Sequence, residues 1–222
     1  MSSTEETIAK VASFYAAQAD WYNVTYEQPH ADGKYRRLRQ RYHALFAGSD
    51  VLEVACGTGY WTETVSAVAN SIVATDVNEN LVEKTRQRTR ELTNVRCEVA
   101  SAYSLDHVAG TFTGGFAQHW LSHVPRRQLT AFLQNFHAKL TPGAQVFFSD
   151  DTHYDHPSLI RRTDADGDIY ESRLRQDGSR AETIKNFFTP DELKALVAEV
   201  AEDIEYEEYE SDVLWTFSYR LR

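Results

Sequence analysis

Apolar and polar positions follow two different periods along most of this 222-residue chain. From residue 50 onward, short apolar runs typical of buried strands alternate with longer stretches in which apolar residues recur every three or four positions, as on one face of a helix. This alternation predicts an α/β fold in which helices cover both faces of a parallel sheet. The predicted strands one to five are 51–54, 71–75, 95–99, 112–117 and 145–149.

Two helices and an aromatic segment precede the first strand. Ser3 and Glu6 form a capping-box pattern, and apolar residues at helical spacing follow them. A second helix is predicted by the spacing of Leu38 and Phe46, and it ends at Gly48. The segment between the two helices is rich in aromatic side chains, among them Trp21, Tyr22 and Tyr26.

The stretch 153–188 after strand five is longer than an ordinary connection between elements. Asp177 and Gly178 lie between strand-like segments and form a strong two-residue hairpin turn, so we expect a β-hairpin insertion. Such an arm could cover a binding pocket or pair with a second copy of the chain, as in a homodimer. Thr189 then opens a capping box before a helix, and two strands at about 204–209 and 213–221 complete the pattern.

The first strand carries a carboxylate and runs into a glycine-rich loop. Glycine lets the backbone adopt positive φ and approach a ligand closely, and the helix that follows presents free N–H groups. Dinucleotide binders place a pyrophosphate over the pattern G-x-G-x-x-G, but Thr62 stands at the third glycine position here. The Glu53 carboxylate would repel a pyrophosphate and attract an ammonium or sulfonium group.

Residues Glu53 through Gly59 match the pattern E/D-x-x-x-G-x-G, and here the chain resembles the class I S-adenosylmethionine-dependent methyltransferases. The resemblance implies S-adenosylmethionine as cofactor and S-adenosylhomocysteine as product. It also implies one methyltransferase domain over 1–222, with a Rossmann-like, seven-stranded mixed sheet of order 3-2-1-4-5-7-6 whose last strand is antiparallel. Aromatic N-terminal segments form a lid in this family, so the resemblance implies a helical lid at 1–48, although these rings could instead pack the two helices onto the sheet. The insertion arm is predicted at 153–188.

Acidic and small residues at the strand ends are the expected cofactor contacts. Asp76 closes strand two, 23 positions after Glu53, where a doubly wound fold places an acidic residue that accepts hydrogen bonds from both ribose hydroxyls. Ser101 stands where many relatives carry an aspartate that contacts the adenine amine, and a hydroxyl is a weaker acceptor. The residues expected to bind the cofactor are Tyr22, Glu53, Ala55, Gly57, Gly59, Asp76, Val77, Ser101, Ala102 and Gln118.

The segment after strand four is expected beside the methyl donor, because ligands of open α/β sheets bind at the carboxyl ends of the strands. His119 and His123 are four residues apart and are the candidate general bases for an acceptor hydroxyl or protonated amine. Each could instead satisfy backbone groups. No third metal ligand is evident nearby in the sequence, so we predict no metal. The candidate acceptor contacts, which core packing would also explain, are Trp21, Tyr26, Trp120, His153 and Tyr154.

Composition narrows the choice of partners. The 33 acidic residues outnumber the 23 basic ones and give a net charge of −10, which disfavours nucleic acid. No apolar run approaches the roughly 18 residues needed to span a bilayer, and two cysteines do not make a disulfide framework, so we expect a soluble, cytoplasmic protein. The predicted function is in-line methyl transfer to an oxygen or nitrogen of a small molecule. The alternatives are a methyltransferase for protein or RNA, and a non-catalytic S-adenosylmethionine-binding partner subunit.

Overall fold

The helices and strands alternate as the apolar pattern predicts from residue 50 onward. The computed structural model describes residues 4–17, 35–156, 159–174, 178–209 and 213–222. The α-helices among them are α1 (Thr4–Ala16), α2 (Arg36–Phe46), α3 (Tyr60–Ser66), α4 (Glu79–Arg88), α5 (Leu129–His137) and α6 (Pro190–Val197). The strands are β1 (Asp50–Val54), β2 (Ser71–Asp76), β3 (Val95–Val99), β4 (Phe112–Gln118), β5 (Leu140–Asp151), β6 (Ile160–Thr163), β7 (Ile169–Leu174), β8 (Arg180–Ile184), β9 (Ala201–Tyr209) and β10 (Leu214–Leu221).

Seven strands form one mixed sheet in the order β3-β2-β1-β4-β5-β10-β9, which confirms the predicted strand order. β1 pairs in parallel with β2 on one side and with β4 on the other. β10 runs antiparallel to both of its neighbours. The chain therefore reverses its direction of winding at β1, and the carboxyl ends of β1, β2, β4 and β5 meet at one edge, where open sheets of this kind bind ligands.

Buried apolar side chains form two clusters, one on each face of the sheet. Neighbouring residues of a strand belong to different clusters, for example Val51 and Leu52 in β1. One cluster contains the aromatic rings of α2 and α3, where Tyr42 stacks on Trp61 with ring centroids 4.8 Å apart. The other contains the apolar faces of α5 and α6. The sheet is thus covered on both faces, as the alternating pattern predicts.

The arm after β5 is larger than the predicted hairpin. β7 and β8 form that hairpin, and β6 adds a third antiparallel strand, so the arm is a small separate sheet. The sequence Ile-Arg-Arg-Thr of β6 has no apolar alternation, because Arg161 pairs with Glu171 and Arg162 pairs with Glu182. Side-chain ion pairs, rather than alternating apolar residues, therefore connect β6 to the neighbouring strands.

Several strands are longer than predicted, and β5 differs most. It begins at Leu140 because that residue pairs with Phe112 of β4, so the Thr-Pro-Gly sequence at 141–143 lies within the strand after α5 has ended at His137. Within the described residues, no helix combines the length and apolar character needed to cross a membrane.

Gly59 and Gly48 give a matched test of the loop that begins α3. Gly59 has a φ of +81°, and an added Cβ would lie 2.8 Å from Thr85 Cγ2 and 3.0 Å from Thr85 Cα. Gly48 has a φ of +72°, but no described atom lies within 4 Å of its Cβ position. We expect Gly48→Ala to lower the free energy of unfolding by about 1–2 kcal/mol, and Gly59→Ala by about 1–3 kcal/mol more. Urea unfolding without ligand measures both, and equal losses would contradict the close contact with α4.

Candidate functional site

The loop after β1 turns through three residues with positive φ. These are Ala55, Gly57 and Gly59, at +56°, +59° and +81°. The loop is held at both sides: the Gly57 N–H donates to Asp76 Oδ2 at 3.1 Å, and the Thr85 hydroxyl donates to the Gly57 carbonyl at 2.9 Å. The backbone therefore has a fixed shape at the end of β1, with Asp76 directly beside it.

Two buried carboxyl groups flank this loop. Asp76 also accepts a hydrogen bond from the Asn78 N–H at 2.9 Å, and burial raises its pKa to about 6 despite the backbone donors. Glu53 is 2% exposed and accepts the Thr62 hydroxyl at 2.5 Å. Burial raises the pKa of Glu53 to about 8, with the Thr62 hydrogen bond opposing the rise and Asp76 adding to it. Glu53 is therefore largely protonated at pH 7, and Asp76 is largely ionised.

A cavity that is partly open to solvent lies at the carboxyl edge of the sheet, and α1 crosses it. The predicted site residues that line it are Ala55, Gly57, Asp76, Val77, Ser101, Ala102, Gln118, His119, Trp120 and His123. A smaller space shares Ala55, Gly57 and Gln118 with it and reaches Glu53. The structure thus brings together most of the residues predicted from the sequence.

Other predicted residues lie elsewhere. His153 and Tyr154 pack on the Phe187 ring, with centroids 5.0 Å and 6.3 Å apart, and neither lines the cavity. Gly59 faces α4 rather than the cavity. Trp21, Tyr22 and Tyr26 lie outside the residues that the structure describes.

Four buried polar atoms in the cavity wall have no hydrogen-bond partner among the described residues. They are Tyr103 Oη, Gln118 Nε2, His119 Nδ1 and Trp120 Nε1. The Gln118 amide is oriented by the Tyr42 hydroxyl, which donates to Gln118 Oε1 at 2.8 Å. Because buried donors are almost always paired, unpartnered donors in a cavity wall indicate a polar ligand. Together with two carboxyl groups, they fit a ligand that has hydroxyl, amino and carboxylate groups.

His119 has a strained backbone at the end of β4. Its φ is +51°, and its N–H donates to the Ser149 carbonyl at 2.8 Å. Its Nδ1 lies 3.7 Å from Asp150 Oδ1 and equally 3.7 Å from Asp151 Oδ1. The conformation thus directs one ring nitrogen towards two carboxylates while the ring contributes to the cavity wall.

Those carboxylates are bound from the other side by a buried lysine of the arm. Lys185 Nζ lies 2.9 Å from Asp150 Oδ1 and 2.7 Å from Asp151 Oδ2. Burial opposes the ionisation of both aspartates, but Lys185 and His119 outweigh it and lower the pKa of each. Burial likewise opposes the charge of Lys185, and the two aspartates outweigh it and raise the pKa of the lysine.

Lys185 is not among the residues predicted for the site, because a lysine next to a hairpin is usually solvated. The available signal was its place between Ile184 and the two phenylalanines Phe187 and Phe188.

His123 differs from His119 in having both ring nitrogens bonded within the protein. Nδ1 lies 2.6 Å from the Ile184 carbonyl, which can only accept, so Nδ1 carries the proton. Nε2 therefore accepts from the Tyr15 hydroxyl at 2.6 Å. Burial lowers the pKa of His123 to about 3, with Lys185 adding to the effect, so the ring stays neutral. Through this ring, α1 is joined to β8 of the arm, a role that the sequence did not indicate for Tyr15.

Comparison with known proteins supports the interpretation of this cavity. A family model described as a methyltransferase domain matches residues 51–143. The demethylmenaquinone methyltransferase of Staphylococcus epidermidis is 32% identical over 105 residues, which are 45% of this chain and 42% of that protein. The ubiquinone biosynthesis O-methyltransferase of Xanthomonas axonopodis pv. citri is 30% identical over 157 residues, 67% of this chain and 60% of that protein. The chain spans less than two thirds of the length of these curated relatives.

Solved structures match over nearly the whole chain. The DhpI–SAH complex is 28% identical with a TM-score of 0.74, and the match covers 99% of this chain and 98% of that one. The N-methyltransferase NodS from Bradyrhizobium japonicum WM9, in complex with S-adenosyl-L-homocysteine (SAH), is 15% identical with a TM-score of 0.67, over 96% of this chain and 98% of that one. The NodS likeness concerns the fold alone.

These matches agree with three features of the site. They are the loop after β1, the carboxyl groups at the ends of β1 and β2, and the cavity that both border. Residues 51–143 thus form a methyltransferase domain, and the strand order and the cavity beside the loop after β1 agree with the class I, S-adenosylmethionine-dependent methyltransferases that the sequence resembles.

Proposed function

We propose that the protein methylates an oxygen or nitrogen atom of a small molecule and that His119 is the general base. The observation that carries this proposal is the position of His119, whose Nδ1 faces two carboxylates while its ring lies in the wall of the cofactor cavity. A proton on Nδ1 that points towards carboxylates leaves Nε2 as the free base. The neighbouring aspartates would also stabilise the positive charge that the ring gains on taking a proton.

We infer that the cofactor is S-adenosylmethionine, because the residues around the cavity suit its parts. Asp76, ionised at neutral pH, would accept hydrogen bonds from the ribose hydroxyls, and Ser101 would hold the adenine. The unpartnered Gln118 amide would donate to the methionyl carboxylate, and Glu53 would hold the methionyl ammonium. S-adenosylmethionine supplies an activated methyl group, so the protein has mainly to hold the acceptor in line and remove its proton.

His123 is better suited to hold α1 in place than to act as a base. Both of its nitrogens are bonded, and its pKa of about 3 leaves it a poor proton acceptor at neutral pH. Its partner Tyr15 lines the cavity from α1. We therefore assign to His123 the positioning of Tyr15 in the cavity wall.

A small acceptor fits this cavity better than a macromolecule. α1 lies across the cavity with Ile8, Val11 and Ala12 in its wall, which leaves room for a compact and partly apolar molecule. Relatives named for menaquinone and ubiquinone biosynthesis support this class of acceptor. Against RNA stands the pairing of α2 arginines with the acidic strand β9, where Arg37 meets Glu207 and Arg41 meets Glu205.

Cofactor binding should release a proton from Glu53 at pH 7. The pKa of this carboxyl group is about 8 in the structure. An adjacent ammonium favours the ionised form, so binding should lower the pKa of Glu53 from above pH 7 to below it. We expect calorimetry of S-adenosylhomocysteine binding, run in two buffers of different ionisation enthalpy, to report close to one proton released.

Two variants separate Glu53 from its neighbour. Glu53→Gln should abolish the release. Asp76→Asn should weaken binding by about 10-fold or more but preserve the release, because Asp76 is already largely ionised at pH 7. Binding without proton release by the unaltered protein would contradict the placement of the ammonium beside Glu53.

The role of His119 can be tested once an acceptor has been found by screening small phenols, amines, thiols and carboxylic acids for S-adenosylhomocysteine release. We expect His119→Ala to lower kcat by about 100-fold or more while the affinity for S-adenosylhomocysteine stays within about 3-fold, since a general base acts in the transition state. The control is His107→Ala, which replaces an exposed histidine outside the cavity. An unchanged kcat for His119→Ala would remove this residue from the mechanism.

A further inference from the structure

One group of side chains beside the cofactor cavity has the composition of a metal site. His119, Asp150 and Asp151 each offer one ligand atom, and these atoms lie within 4.8 Å of one another. An imidazole with two carboxylates is a donor set that suits divalent cations such as Mn²⁺ or Zn²⁺. The fold fixes the position of this group, because Asp150 is fully buried and its Oδ2 accepts the Ser122 N–H at 2.9 Å.

A cation already lies against this group. The ammonium of Lys185 is 2% exposed and reaches both aspartates, and it also donates to the Ser122 hydroxyl at 3.0 Å. All three of its N–H donors therefore have a partner. A divalent ion that bridged the same carboxylates would lie within a few ångströms of the ammonium, where two like charges repel strongly at low dielectric.

We propose that Lys185 is the resident cation of this group: its ammonium takes the place of a divalent metal, offsets one of the two negative charges of Asp150 and Asp151, and positions both carboxylates against His119. The protein then needs no metal for its reaction. Lys185 is a positioning residue, since it acts on the reacting groups through the two aspartates.

The arm acquires a chemical role from this assignment. Lys185 directly follows β8, so the arm supplies the charge that keeps the buried carboxylate of Asp150 ionised beside the partly buried one of Asp151, which would otherwise be unfavourable. The arm is fixed there by its backbone, because the Lys185 N–H donates to the Ile169 carbonyl and the Asn186 N–H donates to the Ser122 carbonyl, each at 2.7 Å. The cation is thus held by the fold rather than recruited from solution.

The first test requires no acceptor and uses Mn²⁺ alone. Lys185→Ala leaves a space beside His119, Asp150 and Asp151. We expect this variant to bind about one Mn²⁺ per chain at micromolar to millimolar concentration. Electron paramagnetic resonance measures the binding as a loss of the free-ion signal. The unaltered protein and Lys194→Ala, which removes an exposed lysine of α6, should bind none at this position. The second substitution Asp151→Asn should abolish the binding that Lys185→Ala has gained.

Two results of that titration would overturn the assignment. One is Mn²⁺ binding by the unaltered protein that Asp151→Asn removes. The other is a folded Lys185→Ala, with the circular dichroism and S-adenosylhomocysteine affinity of the parent, that binds no Mn²⁺. If Lys185→Ala does not fold, Lys185→Ser takes its place with the same expectation.

The unaltered protein gives an independent signature. In ¹H–¹⁵N spectra of lysine ammonium groups, one slowly exchanging resonance should appear, and Asp151→Asn should shift it or broaden it away. Absence of a protected ammonium resonance would contradict the ion pair without reference to any variant of Lys185.

The effect on turnover rests on the proposed function and is measured separately. We expect Lys185→Ala to lower kcat by about 10-fold or more with the KM for S-adenosylmethionine unchanged, and ethylammonium, but not ethanol, to restore part of the loss. EDTA should not change kcat of the unaltered protein. If Lys185→Ala gains the Mn²⁺ site but keeps the kcat of the unaltered protein, Lys185 does not act on His119. The assignment of Lys185 as the resident cation would then still stand.

Discussion

The site depends on a buried charge balance at the carboxyl edge of the sheet. Asp150 and Asp151 stand side by side where β5 ends, and two adjacent carboxylates in such a place require a positive partner. Lys185 provides this positive charge from the arm. The arm is fixed to the sheet, the turn at Ser122 is fixed to Asp150, and His119 meets ionised carboxylates.

A second junction joins the cover of the cavity to the same arm. α1 packs against β8, and the Tyr15 hydroxyl reaches the Ile184 carbonyl through the neutral ring of His123. Thr7 of α1 also lies 3.5 Å, oxygen to oxygen, from Tyr170 of the arm. Residues that lie far apart in the sequence thus surround one cavity: α1 above it, the loop after β1 at one end, and the arm behind His119. These three parts of the chain form the wall of a cavity that stays partly open to solvent.

The sequence predicted what local patterns determine. Strand and helix alternation gave the sheet, and the carboxylate and glycines from Glu53 to Gly59 gave the cofactor end of the site, because these features depend on residues close together in the chain. The pairing of Lys185 with Asp150, and of Tyr15 with His123, depends on contacts between residues 35 and 108 positions apart. β6 was missed for a related reason, since no apolar pattern marks it and its arginines pair with Glu171 and Glu182 of the next two strands.

The central proposal is that the protein transfers a methyl group to a small molecule in this cavity. The most direct measurement uses S-adenosylmethionine that carries a trideuterated methyl group, with mass spectrometry of small-molecule, protein and RNA fractions after incubation with the purified protein. The account predicts a small product that gains one trideuteromethyl group on oxygen or nitrogen, together with an equal amount of S-adenosylhomocysteine. Label found in protein or RNA instead, or S-adenosylhomocysteine binding without label in any fraction, would contradict it.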